Sequence, residues 1–243
     1  GGATATTVTD CHRVLARHRR HHGDRGLGSL IVSMTRHPAD LLAVHFLAAA
    51  AGFAEWRDGR WIAPMPVVPL LETRGDLEAG TGIIERYRAW LGAAAGRAPQ
   101  QVMVGYSDSN KDAGYLAGQW AVHRSQEDLV AALGAAAIHI FHGRGGTVSR
   151  GAGPIHRFLE ALPPGAAETG IRVTEQGEVL AQKYANLPTA VDHLEQLQAG
   201  AFAVALGRDA TPRPAAQAAT LDGLARASER AYRALLEHPD FES

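Results

Sequence analysis

Five short apolar runs recur along the chain, and each is followed by polar or glycine-rich residues and then by sequence with helical spacing. The runs are rich in β-branched residues: Leu30–Val32, Val67–Leu71, Val102–Val104, Ile138–Phe141 and Ile171–Val173. Their starts lie 33 to 37 residues apart. Near-continuous apolar runs of this length predict strands buried on both faces, and the helical sequence between them predicts parallel β-α units.

Capping and terminating residues indicate where helices lie between these runs. Asp40 belongs to the residue types that favour the N-cap of a helix, and glycine is common directly after the last helical turn. The pair Pro163–Pro164 is expected to end a helix, because proline lacks the amide hydrogen. The predicted helices run from Asp40 to Gly52, from about Leu116 to Gly134, from near Pro154 to Pro163, from Ala190 to Leu206 and from about Leu221 to Leu236.

Five β-α units leave two architectures open. They are enough for an open doubly wound sheet, and they also fit part of a closed barrel, which needs eight strands. In both architectures the functional site gathers at the carboxyl ends of the parallel strands. The residues directly after each run are therefore the candidates for chemistry.

Composition narrows the class of protein. The chain has 243 residues, with 24 Lys and Arg against 25 Asp and Glu and a net charge of −1, so nucleic acid is not an expected partner. Its single cysteine, Cys11, excludes an internal disulfide and suits a reducing compartment, and we therefore expect a cytoplasmic location. Neither a run of 18 apolar residues nor a signal-peptide pattern occurs, so no membrane association is expected.

One basic segment interrupts this balance. The range 12–25 carries five arginines and four histidines. A run of one charge sign favours a solvated helix face or a frayed helix end, and contact with an anion or a partner is the alternative.

Two carboxylates, Glu72 and Asp108, follow adjacent predicted strands. Two hard oxygen ligands completed by water and substrate oxygens are how Mg²⁺ is usually held. The alternatives are structural: Glu72 as an acid in the first turn of a helix, and Asp108 as a helix cap or Asx-turn residue. Lys111 lies three residues after Asp108 and can reach an anion at the same edge of the sheet.

The fourth run opens into a glycine-rich segment that contains His142, Arg144 and Arg150. Five of the eleven residues from 143 to 153 are glycine. Glycine allows the backbone to approach an anion, and arginine offers a planar fork matched to phosphate or carboxylate oxygens. The segment therefore predicts an oxyanion-binding lid, with a plain flexible connection as the alternative. His139, inside the run, is expected to be a hydrogen-bonded core or interlayer residue. The four tryptophans are expected to anchor packing.

At these positions the sequence resembles phosphoenolpyruvate carboxylase. The segments that carry the resemblance are Gly105–Asp112 (GYSDSNKD), Phe141–Thr147 (FHGRGGT) and Arg172–Glu178 (RVTEQGE), with Ser33–Met34, Asp40–Val44 and Pro69–Thr73 upstream. Their order and spacing also match. The resemblance runs from about Gly28 to Leu206 and continues weakly from Tyr232 to Phe241.

The resemblance implies part of a (β/α)8 TIM-like barrel within a largely helical α/β protein several times longer than this chain. It divides the chain into a helical basic segment at 1–27, a partial barrel at 28–207 and a linker with a helix at 208–243. The family is a carbon–carbon lyase that joins bicarbonate to phosphoenolpyruvate through carboxyphosphate and an enolate, giving oxaloacetate and phosphate with Mg²⁺ or Mn²⁺.

Site residues carry over by position from the family. Glu72 and Asp108 match its metal-binding carboxylates, Lys111 matches a lysine near the substrate, and His142 and Arg144 match its strand-end histidine and arginine. Arg150 matches the arginine of its mobile glycine-rich loop. With Arg144, Gly145 and Gly146, it is expected to bind substrate.

Several departures from the family pattern bear on activity. Ser149 and Ala152 replace glycines beside the loop arginine, and each added Cβ narrows the backbone conformations available. The string from Thr35 to Pro38 resembles the motif of the family's essential histidine, but its register belongs to another block, so His37 is not expected to be catalytic. That histidine motif and several arginine blocks are missing from the chain.

Three hypotheses follow. The chain is a fragment or one part of a split phosphoenolpyruvate carboxylase, completed by homo-oligomerisation or by association with the missing parts. Alternatively, it is a non-catalytic remnant that acts as a binding or assembly partner. A small stand-alone metal-dependent lyase is less favoured, because five strands leave a barrel unclosed.

Overall fold

The computed structural model describes residues 4–92, 98–145, 153–207 and 213–241. The strands are β1 (Leu30–Val32), β2 (Glu55–Arg57), β3 (Arg60–Ile62), β4 (Val67–Leu71), β5 (Gln100–Gly105), β6 (Ile138–Gly143) and β7 (Arg172–Thr174). The helices are α1 (Ala5–His22), α2 (Pro38–Ala50), α3 (Arg74–Leu91), α4 (Tyr106–Ala113), α5 (Tyr115–Leu133), α6 (Ile155–Glu160), α7 (Gly177–Tyr184), α8 (Leu187–Gly207) and α9 (Ala215–Leu236).

All five predicted strands form, and they pair in parallel in the order β1-β4-β5-β6-β7. Apart from the β2–β3 hairpin, neighbours in the sheet are neighbours in the chain. A doubly wound sheet reverses its strand order at a switch point, whereas a barrel adds strands in sequence. The sheet is therefore wound like part of a barrel, and its five strands form an open half-barrel in a helix-rich α/β fold.

The main hydrophobic core lies between this sheet and helices α3 and α5. Its fully buried members come from both layers: Leu71, Val104 and Ile140 from the strands, with Leu77, Ile84 and Leu129 from the helices. Apolar residues on one face of each helix cover the sheet, which leaves the carboxyl ends of the strands at one rim. None of the described helices is long and apolar enough to cross a membrane.

The start of α2 corrects one prediction. Asp40 is not the capping residue: His37 is, and its ring nitrogen Nδ1 accepts the amide hydrogen of Ala39 at 3.1 Å. Asp40 lies three residues later and accepts the amide of His37 at 2.9 Å, which completes a capping box. Pro38 occupies the first helical position, where its missing amide hydrogen is not needed.

The helices α8 and α9 begin earlier than predicted, at Leu187 and Ala215. The antiparallel hairpin of β2 and β3 was not predicted. Its turn residues, Asp58 and Gly59, have positive φ angles of 53° and 75°. An Asp-Gly pair is a strong signal for a two-residue hairpin turn and could have revealed it.

Candidate active site

The first site carboxylate, Glu72, follows β4 directly and is 8% exposed. It precedes α3, whose capping residue is Thr73 and whose first-turn acid is Asp76. Instead of serving the helix, Glu72 Oε1 accepts the amide hydrogen of Met34 at 2.8 Å. The alternative role as a first-turn acid is therefore wrong for Glu72.

The second carboxylate, Asp108, faces Glu72 from the first turn of α4. This helix begins directly after β5, with Gly105 as its capping residue and no side-chain cap, so the alternative role of Asp108 as a cap is also wrong. A Cβ atom on Gly105 would lie 2.9 Å from Cβ of Glu72, so glycine permits the close approach of the two segments.

The two carboxylates influence each other electrostatically. Burial raises the pKa of Glu72, the amide of Met34 opposes this, and Asp108 raises the pKa further through its charge and a side-chain hydrogen bond. Two carboxylates held together in this way repel each other, and a cation between them would relieve the repulsion.

The turn after β1 holds Met34 in place. Met34 has a φ angle of 52°, in the left-handed region that side chains disfavour. The next residue, Thr35, is fully buried, donates its hydroxyl to the carbonyl of Val32 at 2.8 Å and its amide to the carbonyl of Leu70 at 3.2 Å. These bonds aim the amide of Met34 at Glu72. No local sequence signal indicates this contact.

Lys111 lies one turn after Asp108 on α4, and its Nζ is 2.7 Å from Asp108 Oδ1. Both side chains are half-exposed or more, so the pair adds little stability. Within the described residues no group of three or more His, Cys, Asp or Glu side chains converges. Two adjacent carboxylates nevertheless fit Mg²⁺, which keeps several water ligands and takes one or two carboxylates from the protein.

His142 is the second-last residue of β6 and is buried, with 1% exposure. Its Nδ1 lies 3.1 Å from the hydroxyl of Tyr106, and the edge of the Phe158 ring packs against it with 4.9 Å between centroids. Burial lowers the pKa of His142 to about 3, and the charges of Arg144 and His139 add to this. The imidazole is therefore neutral at physiological pH.

Arg144 follows β6 and is also buried. Its guanidinium carbon lies 4.2 Å from the centroid of Phe158, and Nη2 donates to the carbonyl of Gly153 at 3.3 Å. It lines a cleft of about 420 Å³ between α5 and α6. Burial lowers the pKa of Arg144, while Tyr106 and Glu175 raise it. Glu175, after β7, forms an ion pair with Lys183.

The contacts place the candidate residues in two groups. Glu72, Asp108 and Lys111 form one, and His142 and Arg144 form the other around Phe158. Gly145 follows Arg144 and is buried. Arg150 and Gly146 lie outside the described residues, as do Ser149 and Ala152. Sequence reasoning missed the parts played by Met34 and Phe158.

The residues expected to be structural are placed as follows. Nδ1 of His139 lies 3.2 Å from the carbonyl oxygen of Thr169 and 3.0 Å from the hydroxyl of Thr169. His139 is therefore hydrogen bonded, as the sequence predicts. The tryptophans Trp56, Trp61 and Trp90 pack on one another, but Trp56 is 55% exposed, so it is only partly a packing anchor.

Comparisons with known proteins show which family the chain belongs to. A family model described as phosphoenolpyruvate carboxylase matches residues 2–243. The chain is 43% identical over 225 residues to a phosphoenolpyruvate carboxylase of Thermus thermophilus, covering 89% of this chain and 25% of the relative. It is 42% identical over 225 residues to the enzyme of Methylorubrum extorquens, covering 86% and 24%. The chain thus spans about a quarter of the length of these relatives, and it belongs to the phosphoenolpyruvate carboxylase family.

Proposed function

We propose that this chain carries the cation- and phosphoryl-binding part of a phosphoenolpyruvate carboxylase, a lyase that joins bicarbonate to phosphoenolpyruvate and releases oxaloacetate and phosphate. The observation that carries the proposal is the buried Glu72 facing Asp108 at the rim of the parallel sheet. Family membership supplies the reaction, and the rim supplies residues suited to it.

Glu72 and Asp108 would hold Mg²⁺ or Mn²⁺, with water and substrate oxygens completing its coordination. Such a cation supplies positive charge that stabilises negative charge developing on phosphoryl and enolate oxygens. The amide of Met34 donates to Oε1 of Glu72 and would hold this carboxylate in place for the cation. Lys111 pairs with Asp108, and its ammonium group would bind an anionic group of the substrate at the same edge of the sheet.

Arg144 would bind phosphoryl oxygens. Its guanidinium lies over the Phe158 ring, so little conformational freedom would be lost when the planar fork binds an oxyanion. In its buried setting a fixed positive charge acts more strongly than in water. Arg150, Gly145 and Gly146 would complete this oxyanion site.

His142 would hold carbon dioxide or bicarbonate beside the enolate. The ring is neutral and enclosed by Tyr106 and Phe158, an apolar setting that excludes water. Exclusion of water protects reactive species from hydrolysis and from protonation.

The remaining assignments follow from the same proposal. Residues 28–207 would form one part of an eight-stranded barrel, flanked by the segments 1–27 and 208–243, in a cytoplasmic enzyme. The chain would be completed by homo-oligomerisation or by association with the rest of the enzyme.

Manganese binding tests the site directly. Because Glu72 and Asp108 are the proposed ligands, Glu72→Gln and Asp108→Asn should each weaken Mn²⁺ binding at least roughly tenfold, about 1.4 kcal/mol, measured by electron paramagnetic resonance. Glu85→Gln, on the exposed side of α3, is the matched control. Unchanged affinity in either site variant would remove that residue from the cation site.

Oxaloacetate formation tests the reaction. The folded chain is assayed with phosphoenolpyruvate, bicarbonate and Mg²⁺, alone and with the remaining segments of a relative added in trans. Turnover in either case supports the proposal. Manganese binding without turnover in both would favour a non-catalytic binding partner.

A further inference from the structure

A buried tyrosine lies against the site histidine. Tyr106 begins α4 directly after β5, and His142 lies near the end of the neighbouring strand β6, opposite Val104 in the register. The Tyr106 hydroxyl is 3.1 Å from Nδ1 of His142, and the two residues are 5% and 1% exposed. A buried hydrogen bond of this kind determines which ring nitrogen carries the hydrogen.

We propose that Tyr106 is a positioning residue that holds His142 in the tautomer with its hydrogen on Nε2, so that the ring presents an N–H donor to a substrate oxygen. The assignment of that oxygen to carbon dioxide or bicarbonate rests on the proposed function. The tautomer of His142 is inferred from the structure and does not depend on that function.

The direction of the hydrogen bond follows from the acceptors near the Tyr106 hydroxyl. Among the described residues, Nδ1 of His142 lies within hydrogen-bonding distance of it, whereas the amide oxygen of Gln126, on α5, accepts no hydrogen bond. A buried hydroxyl needs an acceptor for its hydrogen. If Nδ1 donated instead, the phenol hydrogen would have no acceptor, so Tyr106 directs its hydrogen to Nδ1 of His142.

The protonation states agree with this direction. A tyrosine phenol has an ordinary pKa of about 10, so Tyr106 keeps its hydrogen at neutral pH. Burial lowers the pKa of His142 to about 3, so the ring carries one hydrogen only. Since Nδ1 accepts from Tyr106, that hydrogen lies on Nε2.

A neutral donor suits chemistry beside an enolate. An imidazolium would be acidic enough to protonate the enolate carbon and end the reaction as pyruvate, whereas a neutral imidazole N–H is a far weaker acid. The donor still stabilises charge on a carboxyl oxygen through a hydrogen bond. Phe158, packed edge-on at an interplanar angle of 83°, fixes the ring.

Nitrogen-15 spectroscopy of the histidine ring tests the proposal. Protonated and unprotonated ring nitrogens resonate far apart, so a chain labelled with ¹⁵N-histidine reports the tautomer at neutral pH. His142→Gln identifies the signals. We expect hydrogen on Nε2 and a hydrogen-bonded, unprotonated Nδ1. Tyr106→Phe removes the donor and should bring up the Nδ1–H tautomer.

Tyr115→Phe is the matched control, because Tyr115 lines the same cleft but is 53% exposed; it should leave the His142 signals unchanged. Hydrogen on Nδ1 in the unmodified chain would overturn the proposal, as would an unchanged tautomer in Tyr106→Phe. If Tyr106→Phe does not fold by circular dichroism, the spectrum of the unmodified chain decides alone. The measurement needs neither a cation nor turnover, so it can fail or succeed independently of the tests of the proposed function.

Discussion

Met34 is the residue whose backbone conformation is most informative. A left-handed φ on a non-glycine residue costs about 1 kcal/mol or more and is retained where the surroundings impose it. Here the surroundings are the buried Thr35 and its two hydrogen bonds, and the result is an amide directed at Glu72. The strain therefore lies next to a proposed cation ligand, where it positions a carboxylate.

Met34→Gly separates the amide from the side chain. Glycine adopts the left-handed conformation without steric cost and keeps the N–H, so the free energy of unfolding should stay within about 1 kcal/mol of the parent and Mn²⁺ affinity should persist. Met34→Pro removes the N–H and fixes φ near −65°, and should weaken both. Urea unfolding and Mn²⁺ titration measure the two effects. Loss of Mn²⁺ binding in Met34→Gly would show that the side chain, not the amide, matters.

The site residues differ in how far the sequence could predict them. The positions of Glu72 and Asp108 at one edge of the sheet could be predicted because both residues follow adjacent apolar runs, and their role as cation ligands stays a prediction. The contacts of Met34 and Tyr106 could not be predicted. Met34 contacts a residue 38 positions away in the chain, and Tyr106 contacts a residue 36 positions away. Local patterns of hydrophobicity carry no signal for such contacts.

At the scale of elements, α2 and α3 are joined by a buried polar pair. Nε2 of His45, on α2, lies 2.8 Å from the hydroxyl of Tyr87, on α3. The rings of Trp61 and Trp90 pack beside His45. Burial lowers the pKa of His45 from 6.5 to about 4. Between these two values the unfolded chain binds a proton that the folded chain does not, so the free energy of unfolding falls as the pH falls through this window.

The pair predicts acid sensitivity. Between pH 7 and pH 5, protonation of His45 in the unfolded chain should lower the free energy of unfolding by about 2 kcal/mol. Above pH 7 the contribution of His45 changes little with pH. His45→Gln should make the loss between pH 7 and pH 5 smaller by that amount, measured by urea unfolding at both values. His21→Gln, the same change at an exposed position of α1, should leave the loss as it is in the parent. An equal loss in parent and His45→Gln would contradict the assignment.

The elements themselves were predicted unevenly. The buried strands β1, β4, β5, β6 and β7 were predicted because apolar runs mark strands covered on both faces. The hairpin was missed because β2 and β3 have three residues each and β2 is exposed, so neither forms an apolar run. At α2 the helix was predicted but its capping residue was not, since histidine is rarely chosen as a cap.

At the scale of the whole molecule, the sheet is open at both ends. Among the described strands, β1 pairs only with β4 and β7 only with β6. Parallel sheets are normally covered on both faces, and unpaired strand edges invite pairing with another chain. The chain spans about a quarter of its relatives, and the resemblance to the family implied the barrel, but five apolar runs alone could not distinguish it from a doubly wound sheet.

Open edges predict association. The isolated chain should self-associate in a concentration-dependent way, seen by light scattering and sedimentation velocity, because β1 and β7 each pair with one other strand among the described residues and present an outer edge to a second chain. Lys substitutions at Ile31 and Val173, one on each edge strand, should reduce this association, since charge on an edge opposes strand pairing. Matched Lys substitutions at Val14 and Leu235, exposed on α1 and α9, should not. A monodisperse monomer across the concentration range would contradict the prediction and show that the half-barrel stands as an independent unit.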